Sequence, residues 1–132
     1  MKKLTTVAAI VVTALAGCAT YRPDPMKQAI AQSTIPVCMS ERECELKWAA
    51  ARRWVLNNAS FKIKTISNDF IETHGPIGGS PLVAVRVNKD PIPTGGYRIV
   101  VGVYCDNMFG CAPDAWDSAI RFNNEVNSPA DF

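Results

Sequence analysis

A nucleophile needs a base to activate it, and the single histidine, His74, is the first place to look for one. It stands before Gly75-Pro76, with Ser67 and Ser80 in flanking turns, and no Gly-x-Ser-x-Gly elbow accompanies it. A lone histidine in that setting reads as structural or solvated. Paired carboxylates offer a second chemistry, and the candidates are Glu72, Asp106, Asp114 and Asp117. Asp114 and Asp117 have a plainer place in the first turn of a helix, where the dipole favours negative charge. Glu72 alternates with Phe70 and His74 in a short strand. The cysteines contain no C-x-x-C redox pair. Their C-x5-C gaps are wider than the usual zinc spacing, and one histidine with dispersed acids forms no ligand cluster. The glycine-rich stretches 75–81 and 94–96 lack the Lys-Ser/Thr ending of a phosphate loop and read as hairpin connections. The expectation is a protein that is not an enzyme, with no metal and no cofactor.

The N-terminus is more informative. Met1-Lys2-Lys3 is a positive leader, Leu4 to Leu15 an uncharged apolar run broken only by threonines, and Ala16-Gly17 a pair of small residues. The apolar run is too short to span a bilayer, which takes roughly 20 residues. Leu15-Ala16-Gly17-Cys18 resembles a lipobox, the cleavage motif of bacterial lipoproteins. That resemblance covers residues 1–18 alone. It implies a signal peptide over 1–17, a diacylglycerol on the Cys18 thiol and an acyl chain on its new amine. Multiple chains give stable anchoring, since each buried CH₂ contributes about 0.8 kcal/mol. Ala19 stands where an aspartate would signal retention in the inner membrane. By the same resemblance the anchor is in the outer membrane and the protein faces the periplasm.

Lys plus Arg total 14 against 12 for Asp plus Glu. Without Lys2 and Lys3 the count is 12 against 12, so the basic excess expected of a nucleic-acid binder leaves with the leader. Four cysteines remain beyond Cys18: Cys38, Cys44, Cys105 and Cys111. In an exported chain the default is two disulfides. Three connectivities are possible, and the equal local spacings favour Cys38–Cys44 and Cys105–Cys111.

Residues 18–37 hold Pro23, Pro25 and Pro36 and no core-facing stripe, which reads as a flexible tether with a span of roughly 25 Å. The domain is expected over 38–132. Ser40 and Glu43 form a capping-box pattern ahead of a helix to about Asn57, with Cys44, Trp48, Ala51 and Val55 on one face. Strands follow at 61–65, 70–74, 82–89 and 97–104, separated by turn and Pro/Gly segments. A second helix starts near Pro113 and ends near Val126. The order α-β-β-β-β-α with short connections predicts an α+β fold: a four-stranded antiparallel meander with both helices on one face.

Two surfaces then stand out. If Val83, Val85, Val87, Ile99, Val101 and Val103 point at the helices, the other face of the sheet carries Lys62, Lys64, Arg86, Arg98 and Tyr104. Such a face suits an anionic envelope protein or glycan, although a solvated polar face is the ordinary condition of an antiparallel sheet. The ring Cys105–Cys111 encloses Met108 and Phe109, which either fold back on the core beside Trp116 or project as an anchor; core packing is the plainer expectation. The resulting reading is a membrane-anchored binding or scaffolding module of the cell envelope. The alternative is an anchored inhibitor of an envelope-targeting hydrolase such as lysozyme, with Met108-Phe109 as the inserting element.

Overall fold

The computed structural model describes Gly17 and residues 21–129. Residues 1–16 and Cys18, on which the signal-peptide and lipidation expectations fall, lie outside the described residues. Among the described residues no helix is long and apolar enough to cross a membrane.

The described residues form an α+β fold with five antiparallel strands and three helices. The elements are α1 (Pro25–Ser33), β1 (Val37–Cys38), α2 (Glu41–Asn58), β2 (Ile63–Ile66), β3 (Phe70–Thr73), β4 (Ala84–Pro91), β5 (Tyr97–Tyr104) and α3 (Ala115–Asn127). Strands β2 to β5 form the expected meander, and the sheet order is β1-β5-β4-β3-β2. The fifth strand and the third helix are a correction to the four-strand, two-helix expectation, and both come from the stretch read as a tether. Their signals were weak for physical reasons. Strand β1 is two residues long, too short to show a period of two. Helix α1 does carry start signals, an Asp24 side chain accepting from the Met26 amide and Pro25 in the first turn. It buries only Ala31, so no apolar stripe advertises it.

Helix α2 begins as its sequence dictates. Ser40 Oγ accepts from the Glu43 amide at 3.1 Å, and the Glu43 carboxylate accepts from the Met39 amide at 2.9 Å. Ala50 and Ala51 are fully buried, which brings the helix close to the sheet, while Trp48 and Trp54 fill the space beside them. Trp54 meets Phe122 of α3 edge-to-face, with ring centroids 5.3 Å apart. Opposite them Ile71, Val85, Val87 and Ile99 are fully buried, and Val101 and Val103 pack against the same cluster. The register confirms one shared face: Ile71 lies beside Val87, Val87 beside Val101, and Val85 beside Val103. One polar side chain in this layer is tied in fully. Buried Thr73 accepts from the Val85 amide and donates to the His74 carbonyl.

Both local disulfides are present, Cys38–Cys44 and Cys105–Cys111. Helix α1 is clamped to α3 by two asparagines. Asn123 Nδ2 donates to the Ala31 carbonyl and to Thr34 Oγ1, and Asn127 Nδ2 donates to the Thr34 carbonyl.

Candidate functional site

Most of the groups considered for catalysis are engaged in turns, caps or ion pairs, and Asp114 and Asp117 share Lys27. His74 is exposed at the end of β3. Ser67 Oγ donates to Asp69, and Ser80 Oγ accepts from the Leu82 amide, so each serine serves its own turn. Asp114 caps α3 by accepting from the Trp116 and Asp117 amides, both at 3.0 Å. Among the described residues no three His, Cys, Asp or Glu side chains are grouped to hold a metal ion.

The outer sheet face brings Lys64, Arg86 and Tyr104 near one another, but not as a free basic patch. Arg86 Nη2 donates to Glu72 Oε1 at 2.7 Å and its guanidinium stands over the Phe70 ring. That hydrogen bond, with the Arg86 and Lys64 charges, outweighs partial desolvation and holds the Glu72 carboxyl below its ordinary range. Arg98 is the register partner of Asp90 and lies six residues from Tyr104 on the same strand, roughly 20 Å away. Lys62 is exposed on the approach to β2. The face is therefore mixed in charge, which sequence reading missed because Glu72 and Asp90 share it with the arginines.

Met108 and Phe109 do not fold back beside Trp116. They are 70% and 75% exposed at the tip of their ring, where Asn107 turns the chain by accepting from the Phe109 amide with its side chain and from the Gly110 amide with its carbonyl. This corrects the expectation of core packing. A seven-residue ring whose two ends sit side by side has no length to return its tip to the core.

Three of the recesses in the described surface lie beside the start of α2 or the edge of β5. The one of about 580 Å³ lies at the start of α2, between Glu41, Glu45, Trp48 and Tyr97. Its aromatic walls already hold a cation, since Lys89 Nζ is 5.2 Å from the Trp48 ring and 5.4 Å from that of Tyr97. The other two, of about 510 and 190 Å³, share Val101, Trp116 and Ala119 and form one groove along the edge of β5.

That groove arises from a mismatch in strand length. The Ile99 amide donates to the Pro36 carbonyl, and Val37 and Cys38 pair with Arg98 and Tyr97, so the odd-numbered residues of β5 turn their amides and carbonyls toward β1. Strand β1 stops there, and the chain upstream of it is helix α1. Among the described residues no strand pairs with Val101 or Val103 on that side. Trp116 and Ala119 of α3 form one wall, with Ala31, Gln32 and Ile35 at one end and Tyr21 at the other. Buried Asn123 also lines the groove. Its Nδ2 is spent on the Ala31 carbonyl, which fixes the amide's orientation, and its Oδ1 has no hydrogen-bond partner among the described residues. The groove thus offers apolar walls, an open strand edge and an unpaired acceptor. Sequence reading missed it; the available signal was a polar Asn123 inside the buried stripe of Ala119, Phe122 and Val126.

At the groove's near end the N-terminal segment is latched to α3. Tyr21 Oη donates to Asp114 Oδ2 at 3.1 Å, and Lys27 Nζ meets Asp117 at 2.7 Å and Asp114 at 3.6 Å. Burial raises the Asp114 pKa, but the Asp117 amide, the Tyr21 hydroxyl, Lys27 and the Trp116 amide together bring it below its ordinary value. Burial, followed by the bond to Asp114, raises that of Tyr21.

No family model, curated protein or solved structure matches the chain.

Proposed function

We propose that this is a lipid-anchored binding module of the bacterial cell envelope, held by Cys18 in the outer membrane and facing the periplasm. It receives an extended segment of a partner protein along the open half of β5. The observation that carries this reading is the groove itself, where the edge at Val101 and Val103 and the buried Asn123 Oδ1, both without partners among the described residues, lie beside apolar walls. Main-chain bonds to the edge supply affinity, and the pockets beside Trp116 and Ile35 supply selectivity. Docking of an acidic protein or glycan on the face bearing Lys62, Lys64, Arg86, Arg98 and Tyr104 is the weaker reading, because Glu72 and Asp90 share that face with the arginines.

Site-specific photo-crosslinking in intact cells tests the reading. A probe at Gln32 or Ile35 should capture one dominant envelope protein, and a probe at Lys64 should capture much less. Bound partner should also slow hydrogen exchange at the Val101 and Val103 amides. Capture through Lys64 alone would move the site to the outer sheet face, and no capture from either would defeat the binding-module reading.

The alternative, an anchored inhibitor of a hydrolase such as lysozyme, draws on the exposure of Met108 and Phe109. It requires that lysozyme lose activity on adding the protein and regain it with the Phe109→Asp variant.

A further inference from the structure

We propose that the end of the domain formed by residues 75–82 and the 105–111 ring is seated in the lipid interface, so that the domain stands on the membrane in one orientation and does not float above it. The proposal rests on the lipid-anchor reading of Cys18 and adds to it a second, protein-made contact.

Four large apolar side chains project from these two loops: Ile77 (61% exposed), Leu82 (46%), Met108 (70%) and Phe109 (75%). The loops are bound together. Asn107 Nδ2 donates to the Gly79 carbonyl at 2.8 Å, and the Ala112 amide donates to the Pro81 carbonyl at 2.9 Å. Across both loops Asp106 is the only ionised side chain. Apolar side chains gathered at one end on loops with a single charge mark an interaction site more often than chance exposure.

The chain's own path says what covers them. The Tyr21 amide donates to the Met108 carbonyl at 3.4 Å, and the Tyr21 ring packs on Gly110. Cys18 is three residues upstream of Tyr21, so a fully extended chain puts it at most about 11 Å away. A lipid on Cys18 therefore enters the bilayer beside Met108 and Phe109. The tether expected over residues 18–37 is reduced to the few residues before Tyr21, because Tyr21, Lys27 and α1 are fastened to α3. Tyr21, with an apolar ring and a hydroxyl bonded to Asp114, suits the boundary between acyl chains and water. With that end down, β5 runs upward from the membrane for about 26 Å, and the groove opens at its foot.

The test uses the full-length lipidated protein in phosphatidylcholine vesicles that carry a diazirine-bearing phospholipid. After illumination, adducts should map to Ile77, Leu82, Met108 and Phe109, with none at the far turn, residues 92–96. The double variant Met108→Asp/Phe109→Asp should stay with the vesicles through its lipid, unfold at the same temperature, and lose at least tenfold in loop adducts. Adducts spread evenly over the domain, or undiminished in that variant, overturn the seating. So does protection of Met108 and Phe109 by added lysozyme while the protein is on vesicles, which would assign the ring to a soluble target. The anchor reading fails separately, if mass analysis finds no lipid on Cys18.

Discussion

The two disulfide rings have the same spacing and the same length, and the molecule uses them for opposite purposes. The Cys38–Cys44 ring has its bridge in the interior, with Cys38 fully buried and Cys44 7% exposed, while residues 39–42 face solvent. It contains the Ser40 cap and Glu43, it begins in β1, and Lys47 fastens it further by donating to the Val37 carbonyl at 2.6 Å. Sheet edge and helix start are joined in a few residues. The Cys105–Cys111 ring is peripheral, with half-buried cysteines and two exposed apolar side chains at its tip. Spacing alone closes a ring. What it encloses decides its use: capping residues make a junction, and apolar residues make a display.

The largest expected effect tests that contrast directly. A closed loop of seven residues restricts the unfolded chain by about 2 kcal/mol in either case. Replacing Cys105 and Cys111 by alanine should cost about that much. Replacing Cys38 and Cys44 should cost about 4 kcal/mol, because buried sulfur contacts are lost as well. Urea unfolding of the two double variants measures the difference, and equal losses would break the comparison.

Next in size are two glycines with positive φ. A Cβ at Gly96 (φ +80°) would collide with the backbone carbonyl of Cys38, while one at Gly110 (φ +103°) would come within 2.9 Å of the Tyr21 ring, a side chain that yields more readily than backbone. Gly96→Ala should lower stability by about 3 kcal/mol and Gly110→Ala by about 1 kcal/mol. Thermal unfolding ranks them, and the reverse order would contradict the interior and peripheral assignments.

The helix caps are closer in worth. Asp114→Ala should cost about 1.5 kcal/mol and Ser40→Ala about 1 kcal/mol. Only the first should free the N-terminal segment, seen as faster hydrogen exchange at the Tyr21 amide.

The smallest effect is a pH dependence. The Met39 amide, then Lys47, holds the Glu43 carboxyl below its ordinary value of 4.5. A lowered folded-state pKa means that Glu43 contributes stability at neutral pH. That contribution fades as pH falls from about 4.5 through the folded value. Glu43→Gln should flatten this part of the acid limb, and an unchanged limb would remove Glu43 from the ring's role.

Much of this fold is legible in its sequence where local signals and packing agree. The Ser40/Glu43 box announces α2, the alternation of valines announces β4 and β5, and Asp114 announces α3. Other features hang on pairings between distant residues. Strand β1 exists because Val37 meets Arg98, and α1 is held by Asn123 and Asn127, ninety residues downstream. The groove is less legible still, since it is defined by where β1 stops. The exposure of Met108 and Phe109 was open in the sequence, and the shortness of their ring decides it.

The Tyr21 latch also has a mechanical consequence. Tension applied from the N-terminal side enters the domain at Tyr21, with its bonds to Met108 and Asp114, and passes through Lys27 and the asparagine clamps into α3. The bond to Met108 passes part of that load into the ring that follows β5, while the ladder joining β3 and β4 lies outside it, so a pull on the anchor peels α1 from α3 before it strains the sheet.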